Sequence, residues 1–154
     1  MKIRLSTHSD IEQICLLYNE FFAYNAEKDP VYCRAGKESG EYPKSVIDSN
    51  DADLIVAEEN GVVIGFIHIK EGKTPPYDAL QQNHYAQIID FIVTAEHRKK
   101  GAGTKLMEAA KAWANNRKLD YIELFVLEGA KNEHRFYENN DFIPVIHTLR
   151  CMLH

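Results

Sequence analysis

The spacing of apolar positions changes several times along this chain, and each change marks an element. Lys2 to Leu5 alternates as a short strand. Apolar residues then fall three and four apart at Ile11, Ile14, Cys15, Tyr18, Phe21 and Phe22, one face of a helix. Ser9 and Glu12 stand in the S-x-x-E spacing that predicts a capping box at its start. Residues 25–43 carry Pro30, Gly36, Gly40 and Pro43 and predict mostly loop, with a short helix near Ser45 to Asp48.

Asp53 to Glu58 and Val62 to Lys70 read as strands, and Asn60-Gly61 between them predicts a tight hairpin. Glu71 to Asn83, with Pro75-Pro76, predicts a loop. Tyr85 to Val93 is a near-continuous apolar strand interrupted by Gln87 and Asp90. A helix over Ala102 to Asn116 aligns Leu106, Ala110, Trp113 and Ala114. A strand over Tyr121 to Leu127, a helix over Lys131 to Asn140 and a strand over Phe142 to Leu153, broken near Pro144, complete the pattern. This order predicts a single α/β domain over residues 1–154, with a mixed sheet and helices on its faces.

Composition narrows the chemistry. Eighteen basic residues against 23 acidic ones give a net charge of −5, which argues against a nucleic-acid partner and favours cationic ones. The three cysteines, Cys15, Cys33 and Cys151, form no C-x-x-C pair, so reduced thiols in a cytoplasm are expected. No apolar run is long enough to span a membrane, and no membrane partner is expected. None of the seven histidines has metal-ligand spacing on a convincing element, so no metal is expected.

The informative stretch runs from Ile88 to Ala114. A buried strand enters Arg98-Lys99-Lys100-Gly101-Ala102-Gly103, an R-x-x-G-x-G loop, and the loop opens a helix. The first amides of a helix lack internal partners and carry the positive end of its dipole. Small residues at Gly101, Ala102 and Gly103 leave those amides accessible to a pyrophosphate, with cations at Arg98, Lys99 and Lys100 and a hydroxyl at Thr104 beside them. The glycines are too close for a Walker A loop, and Leu106 stands where a dinucleotide fingerprint needs its third glycine.

In this setting the loop resembles the coenzyme A pyrophosphate loop of the GNAT superfamily of acetyl-CoA-dependent N-acetyltransferases. Val126 to Phe142 resembles the family pattern N-x-x-A-x-x-F-Y-x-x-x-G-F through Phe136-Tyr137 and Phe142. Ala130, Glu133 and Asp141 depart from it. The resemblance implies a mostly antiparallel, twisted sheet with helices on both faces, splayed between the fourth and fifth strands. It implies that the donor's pantetheine arm lies in that gap against the backbone of Phe91, Ile92 and Val93. Asn132 would take over an asparagine contact to the cofactor. Tyr137 would stand near the sulfur and assist the departing thiolate.

Such chemistry needs a proton acceptor, because neutralising an alkyl ammonium at neutral pH costs roughly 4 kcal/mol. Asp90 is the leading candidate, as a carboxylate set in an apolar strand, with Glu123, His68 and His84 as rivals. The tyrosines and acids of residues 24–42 and 71–85 are candidates for a cationic acceptor pocket, or for surface loops. The reading is therefore acetyl transfer from acetyl-CoA to a primary amine of a small molecule or peptide. A non-catalytic acyl-CoA-binding domain and a longer acyl donor are the alternatives. A homodimer through the C-terminal segment is also expected.

Overall fold

The computed structural model describes all 154 residues. Its elements are β1 (Lys2–Leu5), α1 (Ile11–Lys28), α2 (Glu41–Ile47), β2 (Ala52–Glu59), β3 (Val62–Lys73), β4 (His84–Val93), α3 (Ala102–Asn116), β5 (Ile122–Leu124) and α4 (Lys131–Glu138). The five strands lie in the order β1-β2-β3-β4-β5. All neighbours are antiparallel except β4 and β5, which are parallel and joined through α3. The Asn60-Gly61 hairpin is present, with both residues at positive φ (52° and 81°), as a tight turn between right-twisted strands requires.

Two apolar layers sandwich the sheet. On one face Leu106, Met107, Ala110 and Trp113 of α3 pack on Ile55, Ile67, Ile69, Ala86 and Ile88. On the other, Ile14, Leu17 and Tyr18 of α1 and Val46 of α2 pack on Leu54, Val56, Phe66 and Ile92. The sheet's alternation of side chains thus feeds two cores, and a register change in a strand moves a residue from one to the other.

Several boundaries differ from the sequence pattern. The α1 helix runs on to Lys28, α2 begins at Glu41, and β3 extends to Lys73. The helix start is set by Asp10 rather than by the Ser9–Glu12 pair. The Asp10 carboxylate accepts the Thr7 amide at 2.8 Å and a bidentate pair from Arg4 at 2.7 and 2.8 Å. That ion pair, which also holds Glu58, fixes the carboxylate two residues earlier than sequence spacing suggests. The Arg4 guanidinium lowers the Asp10 pKa from 3.8 to about 2.

Asp10→Ala would strip a buried charge pair and a helix cap together, which should cost about 3 kcal/mol. For a domain of this size that lowers Tm by about 6–12 °C, readable by calorimetry. Because the folded pKa is depressed, the stabilisation is present above pH 3.8 and is lost as pH falls through about 2. Asp10→Ala should therefore flatten the acid side of a stability-versus-pH curve.

The last two elements are shorter than expected. β5 covers Ile122–Leu124 instead of Tyr121 to Leu127, and α4 ends at Glu138. The strand expected over Phe142 to Leu153 does not form: residues 143–154 are exposed and carry no secondary structure. A strand exists only when a second strand satisfies its amides and carbonyls, and this segment pairs with none of the five strands.

Candidate active site

The site is organised by where β4 and β5 stop pairing. Their register covers Ala86–Ile122, Gln87–Glu123 and Ile88–Leu124 only. Beyond Ile88, β4 runs on to Val93 with β3 on one side and nothing paired on the other. The Thr94 amide donates to the Ile64 carbonyl at 2.9 Å, which fixes the antiparallel hydrogen-bond phase. By alternation, Ile92 turns its amide and carbonyl toward β3, while Phe91 and Val93 turn theirs into the opening. Of the three residues expected to hold an extended arm, two present backbone groups to the gap. Ile92 instead buries its side chain against α1.

A bulge aims Asp90. The β3–β4 register passes from His68↔Asp90 to Ile69↔Ile88, so Ile89 is an extra residue. Ile88 faces the α3 core, and without the bulge Asp90, two residues on, would face it too. The added residue flips the alternation and sends Asp90, like Ile92, to the α1–α2 face. There Tyr18 Oη donates to Asp90 Oδ2 at 2.8 Å, and His68 Nδ1 lies 3.3 Å from the same oxygen. Tyr42 Oη stands 3.2 Å from His68 Nδ1.

His68 is only 3% exposed. Burial and the Asp90 charge push the Tyr18 pKa well above the phenol range, and burial with Asp90 and Glu38 raises Tyr42 to about 12. Both phenols stay protonated, so Tyr18 is a permanent donor to the carboxylate. Asp90 Oδ1 has no partner in the chain and is not sealed from solvent, which leaves one carboxylate oxygen to receive a proton.

Tyr137 lies on the opposite face of the sheet. Its ring packs against Phe91, Phe136 and Phe142, with centroids 6.4, 5.6 and 5.8 Å away. Burial first, then the Glu133 charge, raises its pKa above the usual phenol value, so the hydroxyl remains a donor. That hydroxyl has no partner in the chain and is not among its sealed polar atoms. The structure therefore does not bring Asp90 and Tyr137 into contact. It sets them on either side of β4 where the strand borders the gap.

The glycine loop forms as expected, with roles divided differently. Gly101 caps α3 at φ 87°, and a Cβ there would meet nothing within 4 Å. Lys99 before it is also left-handed, at φ 59°. No side chain caps the helix, and the amides of Ala102, Gly103 and Thr104 have no acceptor in the chain. Ala102, however, points its methyl into the core. Gly103 faces the rings of Phe136 and Phe91, whose carbons would lie at an ordinary contact distance of 3.4 to 3.5 Å from a Cβ, so packing of α4 on α3 does not itself demand glycine there.

Arg98 folds back on the end of β4. Its Nε donates to the Val93 carbonyl at 2.9 Å, and its guanidinium sits 5.5 Å above the Tyr24 ring. Lys99, Lys100 and Thr104 are exposed around the helix start, and Asn132 is exposed on the first turn of α4 without a hydrogen bond.

Among the rivals, His84 pairs with Glu71 at 2.8 Å at the start of β4, away from the opening. Glu123 lies in β5 opposite Gln87. Tyr85 stacks on Tyr121 at that same far end, with centroids 5.0 Å apart. Tyr42 and Glu38 remain on the Asp90 side, which narrows the acidic, aromatic wall to residues 24–42. Cys15 and Cys33 have thiols raised by burial, a poor setting for a nucleophile.

Two participants escape a reading by pattern. Tyr18 counts as one more ring in the α1 stripe, yet a tyrosine placed in an apolar face needs a partner for its hydroxyl, and Asp90 in an apolar strand needs a donor. Those complementary needs were the available signal. Glu133 accepts from Tyr24 Oη at 2.7 Å, tying α4 to α1, while its Oε2 is the one buried side-chain oxygen without a partner. Only its departure from the family pattern marked it.

The model of the acetyltransferase (GNAT) family matches residues 11–142. An uncharacterized N-acetyltransferase of Archaeoglobus fulgidus is 28% identical over 141 residues, covering 92% of both chains. A mutant of the BH1408 protein from Bacillus halodurans shares the fold with a TM-score of 0.94 at 20% identity, over 99% of each chain. The aminoglycoside N-acetyltransferase AAC(6')-Iy, solved in complex with CoA, superposes with a TM-score of 0.73 at 14% identity, over 97% of this chain and 100% of its own. With a family model covering most of its length and the expected gap, loop and helix all formed, the chain belongs to the acetyltransferase (GNAT) family of N-acetyltransferases.

Proposed function

We propose that the chain transfers an acetyl group from acetyl-CoA to a primary amine of a small molecule or peptide, by direct attack with both substrates bound. The observation that carries this is the opening of β4 from β5 beyond Ile88 and Leu124, with a carboxylate on one face and a phenol on the other. Phe91 and the Val93 amide face that gap and would meet an extended arm there, with the Val93 amide polarising a carbonyl oxygen. The free amides of Ala102, Gly103 and Thr104 suit a pyrophosphate.

On the α1–α2 face, Asp90 Oδ1 takes a proton from the incoming ammonium or through water, while Tyr18 and His68 hold Oδ2. On the α4 face, Tyr137 donates to the developing thiolate. Base and donor stand on opposite sides of one reacting carbon, as an amine entering from one face and a thiol leaving toward the other requires. The raised thiols of Cys15 and Cys33 support attack without a covalent enzyme intermediate. Glu38 and Asp90 beside Tyr42 favour a cationic acceptor, and the fold neighbour named for aminoglycosides supports the same class.

Thiol release from acetyl-CoA should appear with members of a panel of polyamines, aminoglycosides and lysine or N-terminal peptides. Binding of acetyl-CoA with no release across the panel would favour a non-catalytic cofactor-binding domain. Faster release from propionyl- or butyryl-CoA would assign a longer donor.

The loop can be tested alone. Gly101→Val forces a branched residue to φ 87°, which costs about 1–2 kcal/mol and turns the loop away from the helix amides. Acetyl-CoA affinity by calorimetry should fall about tenfold or more, with an unchanged far-ultraviolet circular dichroism spectrum. Unaltered affinity would remove the loop from the binding site.

A further inference from the structure

One carboxylate oxygen of the molecule is closed to solvent without a partner, and it lies at the gap. Glu133 Oε1 accepts from Tyr24 Oη at 2.7 Å, while Oε2 is sealed and bonded to nothing. Burial, then that hydrogen bond, pushes the Tyr24 phenol up to about 12, so it stays a donor and Oε1 stays committed to it. A buried carboxylate oxygen without a donor is costly, so the side chain gains when an N–H reaches it.

The surroundings put that oxygen on the path of an extended ligand. The Arg98 guanidinium sits 5.5 Å above the Tyr24 ring, and Arg98 Nε donates to the Val93 carbonyl at 2.9 Å. Glu133 is thus linked to the end of β4 through two side chains. One turn further along α4, Tyr137 packs against Phe91. The helix therefore follows the unpaired edge of β4, with Glu133 toward Val93 and Tyr137 toward Phe91. The two intervals match, since four residues of helix rise about 6 Å and two residues of strand about 6.6 Å.

Hydrogen-bond accounting along the strand points the same way. The arm of acetyl-CoA carries two amide N–H groups, the nearer of them three bonds from the sulfur. Of the carbonyls that β4 turns into the gap, the one on Val93 already accepts from Arg98, which leaves the one on Phe91 uncommitted. The next acceptor in line is Glu133 Oε2.

We propose that Glu133 reads the donor: a shift of its side chain brings Oε2 to an amide N–H of the arm, while Oε1 keeps Tyr24. The inference rests on acetyl-CoA being the donor, as proposed above. It makes Glu133 a binding residue that selects thioesters with an amide in the arm, at a position where the family pattern has alanine.

Two variants separate this contact from the tie between α1 and α4. Tyr24→Phe breaks the tie and leaves the carboxylate, so acetyl-CoA affinity by calorimetry should stay within about twofold of the parent chain. Adding Glu133→Leu keeps the bulk, removes the acceptor and should weaken acetyl-CoA binding about tenfold or more, with an unchanged circular dichroism spectrum. ADP, which has a pyrophosphate and no arm, should bind the two variants alike. Equal acetyl-CoA affinity in the two variants would overturn the proposal and leave the donor assignment standing. So would an equal loss for ADP, which would mark a general loosening of the site. Unchanged acetyl-CoA affinity with a raised KM for the amine would assign the carboxylate to the acceptor instead. A parent chain that binds no acetyl-CoA would sink the donor assignment, and this inference with it.

Discussion

Asp90→Asn should lower kcat and kcat/KM together by about 10³-fold, within the usual range for loss of a positioned base. The replacement is nearly isosteric. Tyr18 can still donate to the amide oxygen, so the 2.8 Å contact survives and the fold should hold. What disappears is the free carboxylate oxygen that accepts a proton. Acetyl-CoA affinity should not change, because Asp90 faces α1 and α2 while the free loop amides head α3 on the other face.

The two residues that hold Asp90 should behave differently. His68→Asn should cost only about tenfold, since a second donor remains. Tyr18→Phe removes a buried donor to a carboxylate and should cost about 1–3 kcal/mol of stability as well as rate. If the three act as one unit, combining His68→Asn with Asp90→Asn should cost little beyond Asp90→Asn alone. Rapid-mixing kinetics with a saturating amine would read these effects. A fall confined to KM for the amine would recast Asp90 as a binding anion for the acceptor.

Residues whose partners are near in sequence were the readable ones. The hairpin at Asn60-Gly61, the amphipathic α3 and the glycine loop each follow from local chemistry, and each is in place. The helix start was misplaced because Asp10 answers to Arg4 and Glu58, and Glu58 lies 54 residues from Arg4. The orientation of Asp90 was hidden for a related reason. Its face depends on the bulge at Ile89, a feature of the β3–β4 register that single-strand alternation cannot reveal. Arg98 was read as a cation for phosphate; sequence does not foretell that its Nε donates to the carbonyl of Val93, on the β4 edge that β5 leaves unpaired. The C-terminal segment has strand-forming side chains but pairs with no strand of the sheet, so local propensity named a conformation that pairing does not complete.

Tyr137→Phe should reduce kcat by about 10²-fold, near the lower end for loss of a catalytic donor. The reason for the lower end lies in the pKa. Burial and Glu133 raise the Tyr137 phenol above its ordinary 10.0, whereas an alkyl thiol sits near 8.5. A thiolate is then too weak a base to take the proton outright, so Tyr137 acts as a hydrogen-bond donor to developing negative charge. The ring stays wedged among Phe91, Phe136 and Phe142, so removal of one oxygen leaves the packing intact. Because the bond strengthens only as charge develops on sulfur, kcat and kcat/KM should fall together with little change in acetyl-CoA affinity. Glu133→Gln removes the nearby charge and should lower the Tyr137 pKa, strengthening it as a donor. With Tyr24 still bonded to the side-chain oxygen, that variant should keep or modestly raise kcat. Full activity in Tyr137→Phe would show that the thiolate leaves with solvent help alone. A drop in Glu133→Gln as large as that in Tyr137→Phe would show that the carboxylate itself takes part.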